Sequence, residues 1–279
     1  MNPSSSLPPE FASAFDAARG RLAPLGRRIL FFTSIGSTND LALSLADDAR
    51  SEGTIVFADH QSAGRGRQGR AWFSPPGGGL YVSVILRPAS ARATAGKPES
   101  AAASGDRTAA LLTLAAGVAL AEAVESVASL RPDIKWPNDL LVGRRKLAGI
   151  LAESVGGDAG AVVLGYGINV RGDAYPSEIR SRATSLESEL GRPIDRAALW
   201  VETLAALAAR YRDLLDGRFD AILDAWRSRS PSSRNARVSW ITPDGPESGI
   251  TCGIDDHGAL LVAVGGCVER IVGGEVVWS

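Results

Sequence analysis

An apolar run, Thr54 to Ala58, gives way almost at once to Gln61-Ser-Ala-Gly-Arg-Gly-Arg-Gln-Gly-Arg70-Ala-Trp72. Gly64, Gly66 and Gly69 alternate with Arg65, Arg67 and Arg70, so regular structure is not favoured here and the segment predicts a loop at a strand end. Such a loop turns backbone N–H groups and forked guanidinium groups toward one point, which suits phosphate or carboxylate oxygens. A solvated basic loop or a nucleic-acid contact uses the same residue types, and the loop by itself leaves those readings open.

The rest of the chain narrows the choice. Its 279 residues, 45% of them hydrophobic, are enough for one sizeable core and a second, smaller domain. A formal net charge of -1 excludes the global basic field that drives non-specific nucleic-acid binding. Cys252 and Cys267 are too few for a disulfide framework, and with His60 and His257 they lack metal-ligand spacing. Packing is the expected role for both thiols, and reduced thiols fit a cytoplasmic location. Met1 to Pro9 lacks the basic and apolar regions of a signal peptide. The charge-free stretch Thr108 to Ala121 is shorter than the roughly 18 to 20 residues needed to span a bilayer, and is read as a buried helix.

In chain order, residues 1–27 form an N-terminal arm or packed helix, with an amphipathic possibility at Phe11 to Leu22. Strand composition follows at Arg28 to Ile35, then Ser37-Thr38-Asn39-Asp40 at the start of a helix through Ala49, where hydroxyls cap the helix and face any ligand at its N-terminus. Leu80 to Leu86 is a strand, residues 88–107 a flexible surface insertion, and Thr108 to Leu130 a long helix with Glu122 and Glu125 on its solvent face. Ile134 to Asn138 is a short strand stopped by Pro137. Leu140 to Val142 and Lys146 to Ser154 form a hairpin, and Ala161 to Leu164 runs into Gly165-Tyr-Gly-Ile-Asn169. Pro193 to Arg229 is helical. From Ala236 the pattern changes to short alternating strands, the last from Val268 to Trp278, with His257 in a turn. The chain has three lysines among 30 basic residues, and two of them, Lys135 and Lys146, fall between Ile134 and Ile150.

Four motifs then stand in order: the arginine loop, Lys135-Trp-Pro-Asn-Asp139, Arg145-Lys-Leu-Ala-Gly-Ile-Leu-Ala-Glu153 and Gly165-Tyr-Gly-Ile-Asn169. Together with Ser37-Thr-Asn39, Asp256-His-Gly-Ala-Leu-Leu261 and Gly273-Gly-Glu275, they resemble the biotin protein ligase family, in the form without an N-terminal DNA-binding domain. The resemblance implies an α+β fold. A mixed β-sheet flanked by helices on one face, a class II synthetase-like catalytic domain over residues 28–232, would be followed by a small SH3-like β-barrel over 233–279. It implies that biotin and ATP, with Mg2+, form biotinyl-5'-AMP, and that a lysine of a biotin carboxyl carrier protein then takes the acyl group. DNA and membranes are not expected partners, and the chain would be a monomer or homodimer.

The same resemblance implies residue roles. Lys135, Arg65, Arg67 and Asp139 are the catalytic candidates, with Lys135 reaching biotin's carboxylate and the α-phosphate. Ser37, Thr38, Asn39 and Gln61 would meet the ureido ring, with Gly64, Gly149 and Leu151 also on biotin. Arg70, Trp72, Asn138, Gly165, Gly167 and Asn169 join Arg67 on the adenylate side. Asp139 would contact Mg2+ or take the proton of the acceptor lysine. Gln68 departs from the family pattern, where a further basic residue is common, and the 88–107 insertion is long. A lipoate-type ligase on the same fold and a non-catalytic nucleic-acid-binding module are the rival readings.

Overall fold

The computed structural model describes residues 5–88, 98–155, 160–179, 181–243 and 245–279. Seven strands make the first sheet: β1 (Arg28–Phe32), β2 (Thr54–Ala58), β3 (Gly79–Leu86), β4 (Asp133–Lys135), β5 (Asp139–Val142), β6 (Arg145–Ser154) and β7 (Val162–Asn169). Their order is β1-β2-β3-β7-β6-β5-β4, with β1 and β2 parallel and the other neighbours antiparallel. Strands β2, β3 and β7 are buried along their whole length. Coverage on both faces explains why the sequence shows them as nearly continuous apolar runs instead of alternations.

The helices are α1 (Pro9–Ala18), α2 (Thr38–Leu45), α3 (Pro98–Ala128), α4 (Leu186–Leu190), α5 (Arg196–Leu215) and α6 (Phe219–Arg227). Alternate sheet residues such as Ile55, Phe57, Val82, Leu164 and Tyr166 share one core with α1, α3, α5 and α6. The intervening residues Val56, Ala58, Ile85 and Val163 pack with Leu41 and Ala42 of α2. Helices therefore flank both faces, where one face was expected. The second face carries only the short α2, which leaves room on it for a cleft.

Of the two readings of residues 1–27, an arm or a packed helix, the described part is a packed helix. Phe11 lies 5.0 Å from Phe57 and 5.7 Å from Trp200 between ring centroids, which places α1 inside the main core. Helix α3 begins at Pro98, inside the stretch expected to be a flexible insertion; residues 89–97 of that stretch lie outside the described residues. Arg107–Ala128 is long and apolar enough to cross a membrane by length and composition, which counting only to Ala121 had missed. Yet 67% of its apolar window is buried in the fold, as befits a core helix. Glu122 and Glu125, assigned to a solvent face, are 28% and 39% exposed and also pair with Arg210 at 3.0 Å and Arg229 at 2.8 Å. The predicted helix from Pro193 to Arg229 is two, α5 and α6, separated at Gly217, whose φ of 73° breaks the helical path.

The second sheet is wholly antiparallel: β8 (Arg234–Thr242), β9 (Gly245–Ile254), β10 (Leu260–Val264), β11 (Cys267–Ile271) and β12 (Val276–Trp278), ordered β11-β10-β9-β8-β12. The expected final strand from Val268 to Trp278 is split by Gly273-Gly274. Inward residues Val238, Leu260, Val262 and Ile271 join the main core, and Trp136 Nε1 donates to Gly258 O at 2.9 Å, so the two sheets are packed together. His257 lies in a turn, its N–H bonded to Asp255 Oδ1 at 2.9 Å, as the Asp-His-Gly sequence predicted. The cysteines are unpaired, as expected, but both are exposed, so neither has the packing role read from sequence. Cys252 alternates with buried Thr251 and Gly253 and so points outward.

Candidate functional site

Strand register builds the floor. Tyr81 pairs with Gly167, Gly167 with Gly149, Gly149 with Asp139, and Asp139 with Lys135, one lateral row across β3, β7, β6, β5 and β4. The neighbouring row on the same face is Ser83, Gly165 and Leu151. Three glycines at the centre leave a trough above the sheet. A Cβ at Gly167 would strike the Trp72 indole, one at Gly165 would strike the Asn39 amide, and one at Gly149 would lie 2.9 Å from the Trp72 ring. Those two side chains can approach the sheet this closely only because glycine is beneath them.

One end of the trough is neutral and polar. Ser37 caps α2, its Oγ accepting from Asp40 N at 3.3 Å, which aims the helix N-terminus into the cleft. Thr38 donates from N (2.8 Å) and Oγ1 (3.0 Å) to Gln61 Oε1, and Gln61 Nε2 donates to Ser74 Oγ at 2.9 Å. Ser83 Oγ donates to Asn39 Oδ1 at 2.5 Å, and Asn39 Nδ2 donates to Glu153 Oε2 at 2.8 Å. Ser37, Thr38, Asn39 and Ser83 are all buried, so each must satisfy its polar atoms within this network or with a ligand.

The arginine loop folds back over the other end. Gly66 N donates to Arg70 O (2.7 Å) and Trp72 N to Gly64 O (2.8 Å), closing a hairpin whose turn carries Gln68 at φ 56° and Gly69 at φ 71°. Gly64 is packed under the Trp72 carbonyl and does not line the cleft, so its part is to let the loop close. Arg65 pairs with Asp40 at 2.9 Å and with Glu153. Arg67 donates to Asn138 Oδ1 at 3.2 Å and to Gly274 O at 3.4 Å, and Arg70 pairs with Glu275, so the loop leans on the second sheet. The cleft, about 450 Å3, is lined by these polar residues, Arg65, Arg67, Trp72, Leu151 and Lys146.

Lys146 is the cation that sequence reasoning passed over. Its Nζ lies 2.6 Å from Asp139 Oδ1 and 5.2 Å from the Trp72 ring centroid. Lys135 lines a second, outer cleft of about 1530 Å3 with Arg67, Arg70, Trp72, Phe73, Asn138, Asp139, Asn169, Arg182 and Trp278. Its ammonium sits 5.7 Å from the Trp278 ring centroid, and burial pushes its pKa below the ordinary lysine value, partly offset by Asp139. Lys146, Trp72, Arg67 and Asn138 border both clefts and join them.

Of the residues singled out from sequence, the structure brings Ser37, Thr38, Asn39, Gln61, Arg65, Arg67, Trp72, Asn138, Gly149, Leu151, Gly165 and Gly167 to the inner cleft, and Lys135, Arg70, Asp139 and Asn169 to the outer one. Asn138 Nδ2 also donates to Ile150 O (2.8 Å) and Asn169 Nδ2 to Thr184 O (2.9 Å), so both brace the backbone. Glu153 and Ser83 were missed alongside Lys146. The signals were present: Lys146 and Glu153 lie within the quoted motif, and Ser83 interrupts an otherwise apolar buried strand.

The sequence model of the Biotin/lipoate A/B protein ligase family matches residues 31–169. The bifunctional ligase/repressor BirA of Bacillus subtilis is 35% identical over 257 residues, 90% of this chain and 74% of that protein. The biotin--[acetyl-CoA-carboxylase] ligase of Mycobacterium tuberculosis is 34% identical over 256 residues, 90% of this chain and 89% of that one. Among solved structures, the biotin protein ligase of Aquifex aeolicus in complex with biotin and ATP superposes with a TM-score of 0.74 at 26% identity, covering 91% of this chain and 99% of that one.

Proposed function

Since this chain belongs to the biotin protein ligase family, we propose that it joins biotin to ATP in the inner cleft and passes the activated acyl group to a lysine of a biotin carboxyl carrier protein. The observation that carries this reading is the polarity of the inner cleft. Neutral hydrogen-bonding groups at one end, Thr38, Asn39 and Gln61, suit a ureido ring, and Arg65, Arg67 and Lys146 at the other suit a carboxylate meeting a phosphate.

In the first step a biotin carboxylate oxygen bonds to the α-phosphorus of ATP and the bond to pyrophosphate breaks. Both reactants are anions, so the site must offset their repulsion and hold them in line. Lys146 is better placed for this than Lys135, because it borders both clefts beside Trp72. A compact ammonium serves oxygens of both reactants from one position. Arg67 and Arg70 in the outer cleft would take the remaining phosphate charge. In the second step the acceptor amine attacks the acyl carbon, AMP leaves, and the amine proton must go to a base. Asp139, in the same strand row, is the nearest candidate.

The described residues offer Mg2+ no ready-made protein cage. Asp139 is already engaged by Lys146 at 2.6 Å, and the described residues contain no cluster of three acidic, His or Cys side chains. Magnesium is read as part of the nucleotide substrate, arriving on the phosphates of ATP. The five-stranded second sheet fits an SH3-like barrel in size and strand pattern, and in this reading it backs the arginine loop.

The test is biotin-dependent ATP–pyrophosphate exchange with the purified chain, followed by transfer to a carrier domain. Exchange with biotin is expected. Exchange with lipoate and none with biotin would move the assignment to the lipoate branch of the family.

A further inference from the structure

We propose that Glu153 is a positioning residue that ties the polar end of the biotin site to its cationic end through one oxygen; this rests on the biotin ligase reading above. Oε2 of Glu153 accepts from Asn39 Nδ2 at 2.8 Å and from Arg65 Nη2. A carboxylate can only accept, so it holds the NH2 group of Asn39 toward β6 and the amide oxygen toward Ser83, whose hydroxyl donates at 2.5 Å. The Asn39 amide lies directly on the Gly165 backbone, with no room for even a methyl group beneath it. Its plane is thus set by the sheet, and which of its two ends faces Ser83 is set by Glu153.

The consequence spreads along the network. The Ser83 proton faces two acceptors, Asn39 Oδ1 and, at 2.8 Å, Thr38 Oγ1, and Thr38 donates its own proton to Gln61 Oε1. At the Asn39 end, the donor and acceptor pattern presented to a ligand is therefore set by a residue on β6. On its other side Glu153 shares Arg65 with Asp40, whose Oδ1 is 2.9 Å from Arg65 Nε. Asp40 is half exposed at 55%, whereas Glu153 is 27% exposed, so Glu153 is the better shielded of the two anchors that keep Arg65 over the cleft.

The test compares Glu153→Ala and Glu153→Gln with the wild-type chain in biotin-dependent pyrophosphate exchange and in a chase that measures release of preformed adenylate. Glu153→Ala leaves the Asn39 amide without its acceptor, and is expected to raise the KM for biotin about tenfold while kcat and the KM for ATP change less than about threefold. Glu153→Gln still offers a carbonyl to Asn39 but no charge to Arg65. It should keep the biotin KM within about threefold yet release the adenylate several times faster. A Glu153→Ala enzyme whose biotin KM is within about twofold of wild type overturns the proposal, as does one whose losses in biotin KM, ATP KM and kcat are equal. If circular dichroism shows that Glu153→Ala does not fold, Glu153→Gln decides: faster release supports the role, and unchanged retention overturns it. A wild-type chain without exchange removes the enzyme reading and this one with it; an active wild type with indifferent Glu153 variants removes only this one.

Discussion

Nζ of Lys146 lies 2.6 Å from Oδ1 of Asp139, and the pair sits where the inner and outer clefts meet. Family resemblance had drawn attention to Lys135, in the same short segment. The structure sets that lysine in the outer cleft, against Trp278. The difference between the two lysines is directly measurable.

Lys146→Ala should lower pyrophosphate exchange by on the order of a hundredfold or more, because it removes charge stabilisation at the point where two anions meet. Lys135→Ala should lower it by less than about tenfold, and mainly through the KM for ATP. Steady-state kinetics on both variants settles the order. A Lys135→Ala enzyme that is the more damaged of the two would return the central role to Lys135.

Gly167→Ala should displace the Trp72 indole, since the added methyl would occupy its place on the sheet. The expected loss in stability is about 1 to 3 kcal/mol, typical of overpacking, together with a large loss in biotin affinity. Denaturant unfolding and calorimetric titration with biotin give the two numbers. Normal biotin binding in this variant would show that Trp72 is not a wall of the site.

Glu275→Ala should free Arg70 from the second sheet and loosen the arginine loop. Arg70 and Glu275 are 64% and 49% exposed, so the effect on global stability should be within about 1 kcal/mol. The effect on adenylate retention should be larger than that, and a quenched chase of preformed biotinyl-5'-AMP measures it. Equal retention in mutant and wild type would mean that the contact with Gly274 and the hairpin's own bonds are enough.

Lys135 carries a pH signature. Burial lowers its pKa in the folded chain below 10.5, with Asp139 working in the opposite direction and Lys146 in the same one. Between the lowered value and 10.5 the unfolded chain binds more protons, so this lysine's contribution to stability rises with pH across that window and is least favourable below it. Acylation by a small anhydride, whose carboxylate leaves as the neutral amine attacks, should therefore reach half its maximal rate at Lys135 at a lower pH than at an exposed lysine. Asp139→Asn should move that midpoint further down. A midpoint at or above the ordinary lysine value in the wild-type chain contradicts the burial of this ammonium.

Much of the architecture was legible because it rests on local chemistry. The unbroken apolar runs at Thr54 to Ala58 and Ala161 to Leu164 read as strands and are strands, and the Ser37 cap began α2 where its sequence placed it. Errors came where tertiary packing overrode local signals. The Ala- and Ser-rich stretch from Pro98 onward continues the core helix α3, and Cys252 faces outward because strand alternation with Thr251 and Gly253 decides its side. Glu122 and Glu125 found arginine partners on other elements, Arg210 and Arg229, which no helical periodicity within α3 could disclose.

The site divides in the same way. Sequence by itself determined which residue types were available: the glycines that clear a floor, the arginines of the loop, the hydroxyls and amides at the start of α2, and two lysines in one short segment. Only the tertiary structure decided which of those lysines faces the inner cleft, and that Glu153, 114 residues away from Asn39, holds it in place. The reason is geometric. Spacing along a strand fixes the face on which a side chain emerges, but the register between strands and the loop folded over them fix what it meets there.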